Sequence, residues 1–209
     1  MSFISYLPHY DEGQLVDALA TTGIVAIDGF LSHDECVRLR ARAQQLRDAG
    51  NFGRAAVGRA QGRTVADDVR RDEVLWLNEQ DGLSDEAPYW FRINALMQAM
   101  NRALFLGLRY GEFHYAHYAE GGFYRRHLDR FRDDDARAIS CVCYLNEAWA
   151  PGDGGELRVW ADPAGMGDTE DVAPKAGRLV LFRSERFWHE VLPTQVARWS
   201  VTGWMRRDG

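Results

Sequence analysis

Short β-branched and aromatic segments fill the second half of the chain. From residue 109 onward, glycine, proline, aspartate and asparagine repeatedly interrupt these segments. Segments of this length and composition predict strands joined by tight turns. The six segments are FHYAHYAEG (113–121), AISCVCYLN (138–146), GGELRVW (154–160), GRLVLFRS (177–184), WHEVLPT (188–194) and RWSVTGWMRR (198–207). Crowded antiparallel strands of this kind favour a β-sandwich or a jelly roll.

The first half of the chain is predicted to be mainly helical. Apolar residues recur at helical spacing between residues 11 and 22, which predicts a first helix. Ser32 and Glu35 form a capping box that starts a second helix after a short strand. A strand at 73–79 precedes a third helix, which we expect to begin after Pro88. An α-rich half followed by a β-rich half predicts an α+β fold with helices packed on one side of the sheets.

The chain length of 209 residues suits a single domain. Residues 1–108 would form the helical support, and residues 109–209 the β core that carries the site. Residues 51–72 are rich in glycine and arginine and show little periodicity, so they predict a loop or a loosely paired hairpin.

Charge and composition exclude several classes of function. The net charge is −6 and no basic stripe occurs, so general nucleic-acid binding is not expected. The chain contains no run of 18 apolar residues, so no membrane span is expected. Three cysteines do not suggest a disulfide framework in a chain of this size. We therefore expect reduced, packed thiols and a cytoplasmic location.

A histidine and an aspartate separated by one residue are the strongest candidates for a metal site. Side chains alternate between the two faces of a strand, so His127 and Asp129 would point the same way. A second histidine, His189, lies on a later predicted strand. Two imidazoles and one carboxylate leave three octahedral positions open, which suits a non-haem Fe(II) ion that also binds a co-substrate and O₂. A catalytic zinc site uses similar ligands, so their spacing alone leaves a zinc hydrolase open.

An arginine at the start of the last predicted strand favours iron. A dicarboxylate that chelates iron through a 2-oxo acid group needs a cation at its other carboxylate, and a guanidinium offers a bidentate match. Arg198 is the candidate for this cation. Tyr118, Tyr144 and Thr202 lie on strands expected to face the same cavity, and their hydroxyl groups could donate hydrogen bonds to that carboxylate.

With these residues in place, the chain resembles the Fe(II)/2-oxoglutarate oxygenases, and within them the prolyl 4-hydroxylase branch that contains the hypoxia-factor prolyl hydroxylases and their bacterial relatives. The similar segments are RRDEVLWLNE (70–79), YAEGGFYRRHLD (118–129), CVCYLNEAW (141–149), GGELRVW (154–160) and GRLVLFRSERFWHEVLPTQVARWSVTGW (177–204). The resemblance implies a distorted double-stranded β-helix of the jelly-roll, cupin-like type with N-terminal supporting helices.

The resemblance also implies the cofactors and the metal ligands. Fe(II) would be bound by His127, Asp129 and His189, with 2-oxoglutarate as co-substrate and O₂ as oxidant. L-ascorbic acid binding is a further property that the resemblance implies. These implied cofactors agree with the iron interpretation reached from the ligand types.

The resemblance implies further roles around the iron. Arg198 would pair with the distal carboxylate of 2-oxoglutarate, helped by Tyr144 with Thr202 nearby, and Tyr118 would lie beside the iron and the co-substrate.

On the substrate side, the resemblance points to a loop and a docking strand. Arg70, Asp72 and Trp76 match the family pattern Arg-x-Asp-x-x-x-Trp, and residues 51–76 would form a mobile loop that closes on the substrate. We also expect Arg126 to contact the substrate, because alternation would turn one arginine of its pair into the pocket and the other into solvent.

The expected activity is hydroxylation of a prolyl residue in a protein substrate, with release of succinate and CO₂. One alternative within the same chemistry is hydroxylation of a free amino acid or another small molecule. Two alternatives from other classes are a zinc hydrolase and a non-catalytic β-sandwich that binds a ligand or a metal. The sequence leaves the oligomeric state open.

Overall fold

The computed structural model of the protein describes residues 2–56, 66–79, 85–130 and 135–207. These residues form three helices, α1 (Glu12–Thr21), α2 (His33–Asp48) and α3 (Ala87–Leu104). The strands are β1 (Ser5–Leu7), β2 (Ile24–Ile27), β3 (Gly53–Arg54), β4 (Glu73–Trp76), β5 (Tyr110–Tyr118), β6 (Tyr124–His127), β7 (Arg137–Tyr144), β8 (Leu157–Trp160), β9 (Thr169–Val172), β10 (Leu179–Arg183), β11 (His189–Val191) and β12 (Arg198–Arg206). None of the described helices is both long and apolar enough to cross a membrane.

The strands form two sheets. The larger sheet has eight strands in the order β1-β2-β10-β7-β12-β5-β4-β3, and the smaller has four in the order β6-β11-β8-β9. Neighbouring strands are antiparallel except for β1 and β2. Side chains from both sheets share one buried cluster, so the sheets pack against each other. This arrangement confirms the predicted α+β fold with a double-stranded β-helix core.

The helices pack on one face of the larger sheet. Because side chains alternate along β7, Cys141 and Cys143 join the core beneath the helices, whereas Val142 and Tyr144 join the cluster between the sheets. The three cysteines of the chain are free and buried, as expected for packed thiols.

Strand β12 shows the same alternation, and this alternation positions the site. Trp199 belongs to the core beneath the helices. Arg198, Ser200 and Thr202 therefore face the space between the sheets. Ser200 pairs with Tyr144 on β7, so the candidate groups from the two strands share one face.

Local sequence signals explain where two helices begin. At the start of α2, the Ser32 hydroxyl accepts a hydrogen bond from the Glu35 amide at 3.3 Å, and the Glu35 carboxylate accepts one from the Ser32 amide at 2.8 Å. The predicted capping box is thereby confirmed. Helix α3 begins at Ala87 rather than after Pro88. A proline is tolerated in the first turn because no intrahelical hydrogen bond needs its missing amide proton.

The strand predictions missed one polar strand of the β-rich half. The structure has eight strands after residue 109, β5 to β12; six match the predicted segments, β6 is the strand expected to carry His127, and β9 was not predicted. Strand β9 is an edge strand of the smaller sheet, and only Val172 in it is buried. A strand with one buried side chain resembles a loop in sequence, because it lacks the alternating apolar pattern.

The predicted loop at 51–76 is described only at its two ends. Gly53–Arg54 pairs with β4, which matches the loosely paired hairpin expected in this region. Residues 57–65, in the middle of this predicted loop, lie outside the described residues.

Candidate metal centre

Two paired strands place the candidate histidines side by side. His127 ends β6 and His189 begins β11, and the two residues pair directly in the register of these strands. Their ring centroids are 4.2 Å apart. Asp129 lies in the bend after β6 and not in the strand assumed from alternation, but its carboxylate still reaches the two imidazoles.

The Asp129 carboxylate connects the two imidazoles. Its Oδ1 is 3.5 Å from His127 Nε2, and its Oδ2 is 3.5 Å from His189 Nε2. One ligand atom from each residue lies within 4.8 Å of the others. Ligand atoms bound at about 2.1 Å to one ion are roughly 3 Å apart, so only small adjustments are needed to bind a metal. We call these three residues the metal triad.

Backbone carbonyls hold both imidazoles in the tautomer that a metal ligand needs. His127 Nδ1 is 2.7 Å from the Arg125 carbonyl oxygen, and His189 Nδ1 is 3.0 Å from the Phe187 carbonyl oxygen. A carbonyl oxygen only accepts hydrogen bonds, so each Nδ1 must carry the donated proton. Both Nε2 lone pairs are therefore available to a metal.

Two serines support the Asp129 carboxylate. Ser140 donates a hydrogen bond to Asp129 Oδ2 at 2.6 Å, and its hydroxyl oxygen is 2.9 Å from that of Ser184. Burial alone raises the pKa of Asp129, but the two histidines and Ser140 outweigh burial and hold this pKa well below its usual value. Asp129 is therefore ionised at neutral pH. The sequence alone did not identify either serine, because an isolated serine in or next to a buried strand has no distinctive spacing.

His189 is prepared to bind a metal at neutral pH. Its burial lowers the pKa, the nearby His127 lowers it further, and Asp129 partly offsets both effects, so the pKa of His189 falls from 6.5 to about 4. The imidazole is neutral at pH 7, and metal binding then needs no proton loss from it.

The donor set of the triad fits Fe(II). Two imidazoles and one carboxylate are the ligands of non-haem iron sites that leave three positions open. Among the residues that the structure describes, no fourth histidine, cysteine or acidic group joins the triad. A structural zinc site would need four closed ligands, so the triad suits an ion that must also bind small molecules.

A buried arginine faces the same space between the sheets. Arg198 is 3% exposed, and its Cζ lies 4.9 Å from the ring centroid of Tyr118 and 5.0 Å from that of Tyr144. Its Nε donates a hydrogen bond to the Gly155 carbonyl at 2.8 Å. Gly155 has a φ of 74°, and a Cβ there would lie 3.0 Å from Arg198 Cδ. Glycine therefore allows this close approach.

The surroundings of Arg198 fit the distal carboxylate of 2-oxoglutarate. Across the described ranges, no acidic side chain forms an ion pair with Arg198, and the buried Tyr144 hydroxyl, with the Arg198 guanidinium beside it, donates its proton to no acceptor. Burial raises the pKa of Tyr144, so its phenol remains a donor at neutral pH. A carboxylate bound here would pair with the guanidinium and accept a hydrogen bond from the phenol. We call this group, Arg198 with Tyr144, the anion pocket.

The other two predicted hydroxyl groups differ in their surroundings. Tyr118 is buried, and burial raises its pKa, so its phenol is protonated where its ring flanks Arg198. Thr202 lies farther along β12 on the same face, with its hydroxyl oxygen 2.9 Å from that of Ser200. Tyr118 therefore lines the anion pocket. Thr202 shares the same face of β12, but its hydroxyl group contacts Ser200.

Three aromatic rings form a surface on the same inner face of the larger sheet. The ring of His114 lies 4.7 Å from Trp76 and 5.8 Å from Trp204 between centroids. Arg137 lies over Trp204, with its Cζ 3.4 Å from the ring centroid. Burial and nearby cations lower the pKa of His114 to about 3, so this histidine is neutral. We call Trp76, His114 and Trp204 the aromatic surface; sequence reasoning singled out only Trp76 of these three.

The predicted substrate residues Arg70 and Asp72 pair with each other. Arg70 Nε is 2.7 Å from Asp72 Oδ1, and Arg70 Nη2 is 2.5 Å from Asp72 Oδ2. The side chain of Asp72 is fully buried and that of Arg70 is 12% exposed, so neither is presented on the outer surface. Trp76 is 41% exposed, on a strand near the edge of the larger sheet.

Arg126 lies away from the metal triad. Its Nη1 donates a hydrogen bond to the Gly165 carbonyl at 2.5 Å, and its guanidinium lies near the rings of Trp160 and Trp188. Arg125 and Arg126 are both exposed, which differs from the expectation that one of them turns into the pocket. The pairing of β6 with β11 shifts register between His127 and Tyr124, so simple alternation does not describe the side chains of β6.

Comparisons with known proteins identify the family. Residues 113–206 match the model of the 2OG-Fe(II) oxygenase superfamily. The structure is similar to a prolyl-4-hydroxylase from Pseudomonas putida, with a TM-score of 0.83, 42% sequence identity, and coverage of 95% of this chain and 100% of that chain. The chain belongs to the prolyl hydroxylase branch of the 2OG-Fe(II) oxygenases. This family uses Fe(II), 2-oxoglutarate and O₂, which agrees with the donor set of the metal triad.

Two further proteins are similar to this chain. Egl nine homolog 1 from Mus musculus is 27% identical over 91% of this chain, and the chain spans about half (48%) of that relative's length. A prolyl hydroxylase in complex with a hypoxia inducible factor oxygen degradation domain peptide fragment, from Trichoplax adhaerens, shares the fold. Its TM-score is 0.82 with 23% identity, over 93% of this chain and 88% of that chain.

Proposed function

We propose that this chain is an Fe(II)- and 2-oxoglutarate-dependent prolyl hydroxylase that acts on a proline within a protein segment. The observation that carries the proposal is the convergence of His127, Asp129 and His189 on one point, with the anion pocket facing the same space between the sheets. This combination provides one site for the metal and another for the far end of its co-substrate.

Different residues of the site would bind the metal and the co-substrate. The metal triad would hold the iron, and Arg198 and Tyr144 would hold the distal carboxylate of 2-oxoglutarate. When bound, iron with 2-oxoglutarate and O₂ supplies the oxidising chemistry that converts a C–H bond to C–OH, with release of succinate and CO₂. The burial of Arg198, Tyr144 and Tyr118 keeps water away from the co-substrate and strengthens its pairing with the guanidinium.

The aromatic surface supports a prolyl residue as the target. The pyrrolidine ring is apolar and packs well on a flat aromatic face, and Trp76, which is 41% exposed, provides one. The buried rings of His114 and Trp204 pack against Trp76 and hold it in place. The Trichoplax relative binds a peptide on the same fold, which favours a peptide segment here too.

The same site argues against the three alternatives. A free amino acid needs an acidic partner for its ammonium group, and the aromatic surface instead offers ring faces. A zinc hydrolase has no use for a buried arginine that, among the described residues, pairs with no carboxylate and lies beside a tyrosine. A non-catalytic module that binds a ligand or a metal would not need three open coordination positions beside a buried arginine.

The deciding experiment combines co-substrate turnover with mass spectrometry. The purified chain, loaded anaerobically with Fe(II), is mixed with 2-oxoglutarate, air and denatured proteins from the source organism. We expect succinate release above the protein-free rate and a gain of one oxygen atom on proline residues. Free L-proline at equal proline concentration is the matched control and should stimulate no release. Stimulation by free proline alone, or oxygen only on other residues, would overturn the proposal.

A cytoplasmic location is part of the same proposal. Three free and buried cysteines suit a reducing compartment, where a disulfide would gain nothing. Ascorbate binding stays a prediction, because no described residue distinguishes an ascorbate site.

A further inference from the structure

One ligand of the metal triad is stacked on a tyrosine. The rings of Tyr124 and His127 lie 3.7 Å apart between centroids, with an angle of 18° between their planes. By contrast, the rings of His127 and His189 are tilted by 56°. A nearly parallel contact at this distance covers one whole face of the imidazole, so it restricts how the His127 ring can tilt.

An arginine covers the opposite face of the same tyrosine. Arg70 Cζ is 4.2 Å from the Tyr124 ring centroid, well inside the range of a cation–π contact. The backbones of Arg70 and Tyr124 also form an isolated antiparallel bridge. Tyr124 is therefore held between a guanidinium on one side and the His127 imidazole on the other.

The guanidinium is itself fixed in place. Asp72 binds Arg70 through two parallel hydrogen bonds of 2.7 and 2.5 Å, and the Asp72 side chain is fully buried. Backbone hydrogen bonds anchor this segment on both sides, from Ala55 to the Asp72 carbonyl and from Arg71 to the Phe123 carbonyl. Burial disfavours the charged guanidinium, but Asp72 outweighs it, so the pKa of Arg70 is raised above its usual value.

The His127 ring is less enclosed by its surroundings than the His189 ring, so it depends more on the contact with Tyr124. It lies at the last position of a four-residue strand, and its side chain is 18% exposed, against 6% for His189. The carbonyl bond to Nδ1 fixes the tautomer, but a single hydrogen bond leaves the ring free to tilt about it. The stack on Tyr124 restricts that remaining motion.

We infer that Tyr124 and Arg70 are positioning residues for the iron ligand His127, and that Asp72 holds Arg70 in that role. Sequence resemblance pointed to Arg70 and Asp72 as substrate contacts, but here their side chains are buried in a stack that ends on the metal triad. The inference deepens the proposed function, since it rests on the triad binding iron, and it is independent of the substrate.

The test measures metal affinity in the absence of turnover. Titration of Co(II) and anaerobic Fe(II) into the metal-free full chain gives a dissociation constant for each variant, and the Co(II) absorption spectrum reports ligand geometry. We expect Tyr124→Leu to weaken binding by about 10- to 100-fold, as for other groups that orient metal ligands. Tyr124→Phe keeps the ring stack and should restore wild-type affinity and spectrum. Arg70→Lys keeps the charge beside Asp72 but loses the flat guanidinium, and should weaken binding by a smaller factor.

A matched control separates positioning from general damage. Tyr110 lies with its ring 5.5 Å from Arg206 Cζ, at the far end of β5 from Tyr118, so Tyr110→Leu removes a similar arginine–tyrosine contact elsewhere. It should leave metal affinity unchanged. Wild-type affinity and spectrum in a folded Tyr124→Leu protein would overturn the inference, and so would equal losses in the Leu and Phe variants. Failure of the wild-type chain to bind Fe(II) or Co(II) would instead refute the proposed function.

Discussion

His189 lies directly opposite His127 in the antiparallel pairing of β11 with β6. This single register brings together two imidazoles from distant parts of the sequence, and Asp129 in the following bend completes the group. The metal site is therefore a consequence of strand pairing in the smaller sheet, and the larger sheet contributes the arginine and the tyrosines beside it.

Removing the carboxylate ligand should abolish the iron–co-substrate complex. We expect anaerobic Fe(II) with 2-oxoglutarate to give a weak visible charge-transfer band in the wild-type chain and none in Asp129→Ala, because two imidazoles alone hold iron poorly. Asp171→Ala is the matched control, since Asp171 pairs with Arg158 on the exposed surface of the smaller sheet. A band of wild-type intensity in Asp129→Ala would show that the iron binds elsewhere.

A change in the anion pocket should weaken the binding of 2-oxoglutarate and leave the affinity for the metal unchanged. Arg198→Lys keeps a cation but loses the planar guanidinium. We expect the KM for 2-oxoglutarate to rise by about 10- to 100-fold, because the change removes one charged hydrogen bond, which contributes about 1.5–3 kcal/mol. Steady-state succinate release measures the KM, and Fe(II) titration should show an affinity close to that of the wild type. Arg158→Lys, on the exposed surface, is the control. An unchanged KM in Arg198→Lys would remove this arginine from its assigned role.

The aromatic surface should govern the affinity for a peptide. Trp204→Ala removes the ring over which Arg137 lies, and we expect the KM for a proline-containing peptide to rise by about 10-fold or more, as for buried tryptophans at other interfaces. The KM for 2-oxoglutarate should stay within about twofold of wild type, because Trp204 is not part of the anion pocket. Phe105→Ala, at an 89% exposed phenylalanine after α3, serves as the control. Equal changes in both KM values would mean that the variant disturbs the whole site.

The Glu35 carboxylate should make the free energy of unfolding depend on pH. Burial raises the pKa of Glu35, but Arg92 and Ser32 outweigh burial and lower it from 4.5 to about 2. The stabilisation is therefore complete above pH 4.5 and is lost as the pH falls toward 2. We expect Glu35→Gln to reduce the free energy of unfolding by about 2–3 kcal/mol at pH 7, and by roughly half as much at pH 3.

Urea unfolding at these two pH values measures the Glu35 effect. Glu12→Gln is the matched control, because Glu12 pairs with Arg102 on the exposed surface and such pairs contribute little. A difference between wild type and Glu35→Gln that is the same at pH 7 and pH 3 would refute the assigned ionisation.

Sequence patterns predicted the parts of the fold that depend on local chemistry. The capping box at Ser32 and Glu35 and the alternation of β7 and β12 can be read from neighbouring residues, and the structure shows both. The missed strands β1 and β9 are short, and β9 buries only Val172. Their formation depends on partners far along the chain, which no local pattern contains.

In the candidate site too, features set by local sequence were predicted, and those set by distant contacts were not. The ligand types of the triad and the cation Arg198 have recognisable spacing and chemistry in sequence. Ser140, Tyr124 and Trp204 do not, because their roles arise from contacts with residues brought close by folding. The guanidinium of Arg126 lies near Trp160, on a strand whose pairing with β11 shifts register, and local alternation could not anticipate that shift.

A crystal structure of the chain grown anaerobically with Fe(II) and 2-oxoglutarate, with data collected at the iron absorption edge, would show where the iron binds. We expect one anomalous peak at about 2.0–2.2 Å from His127 Nε2, His189 Nε2 and an Asp129 oxygen. The co-substrate's distal carboxylate should contact Arg198. An iron peak at any other site, or a co-substrate whose carboxylate lies away from Arg198, would contradict this expectation.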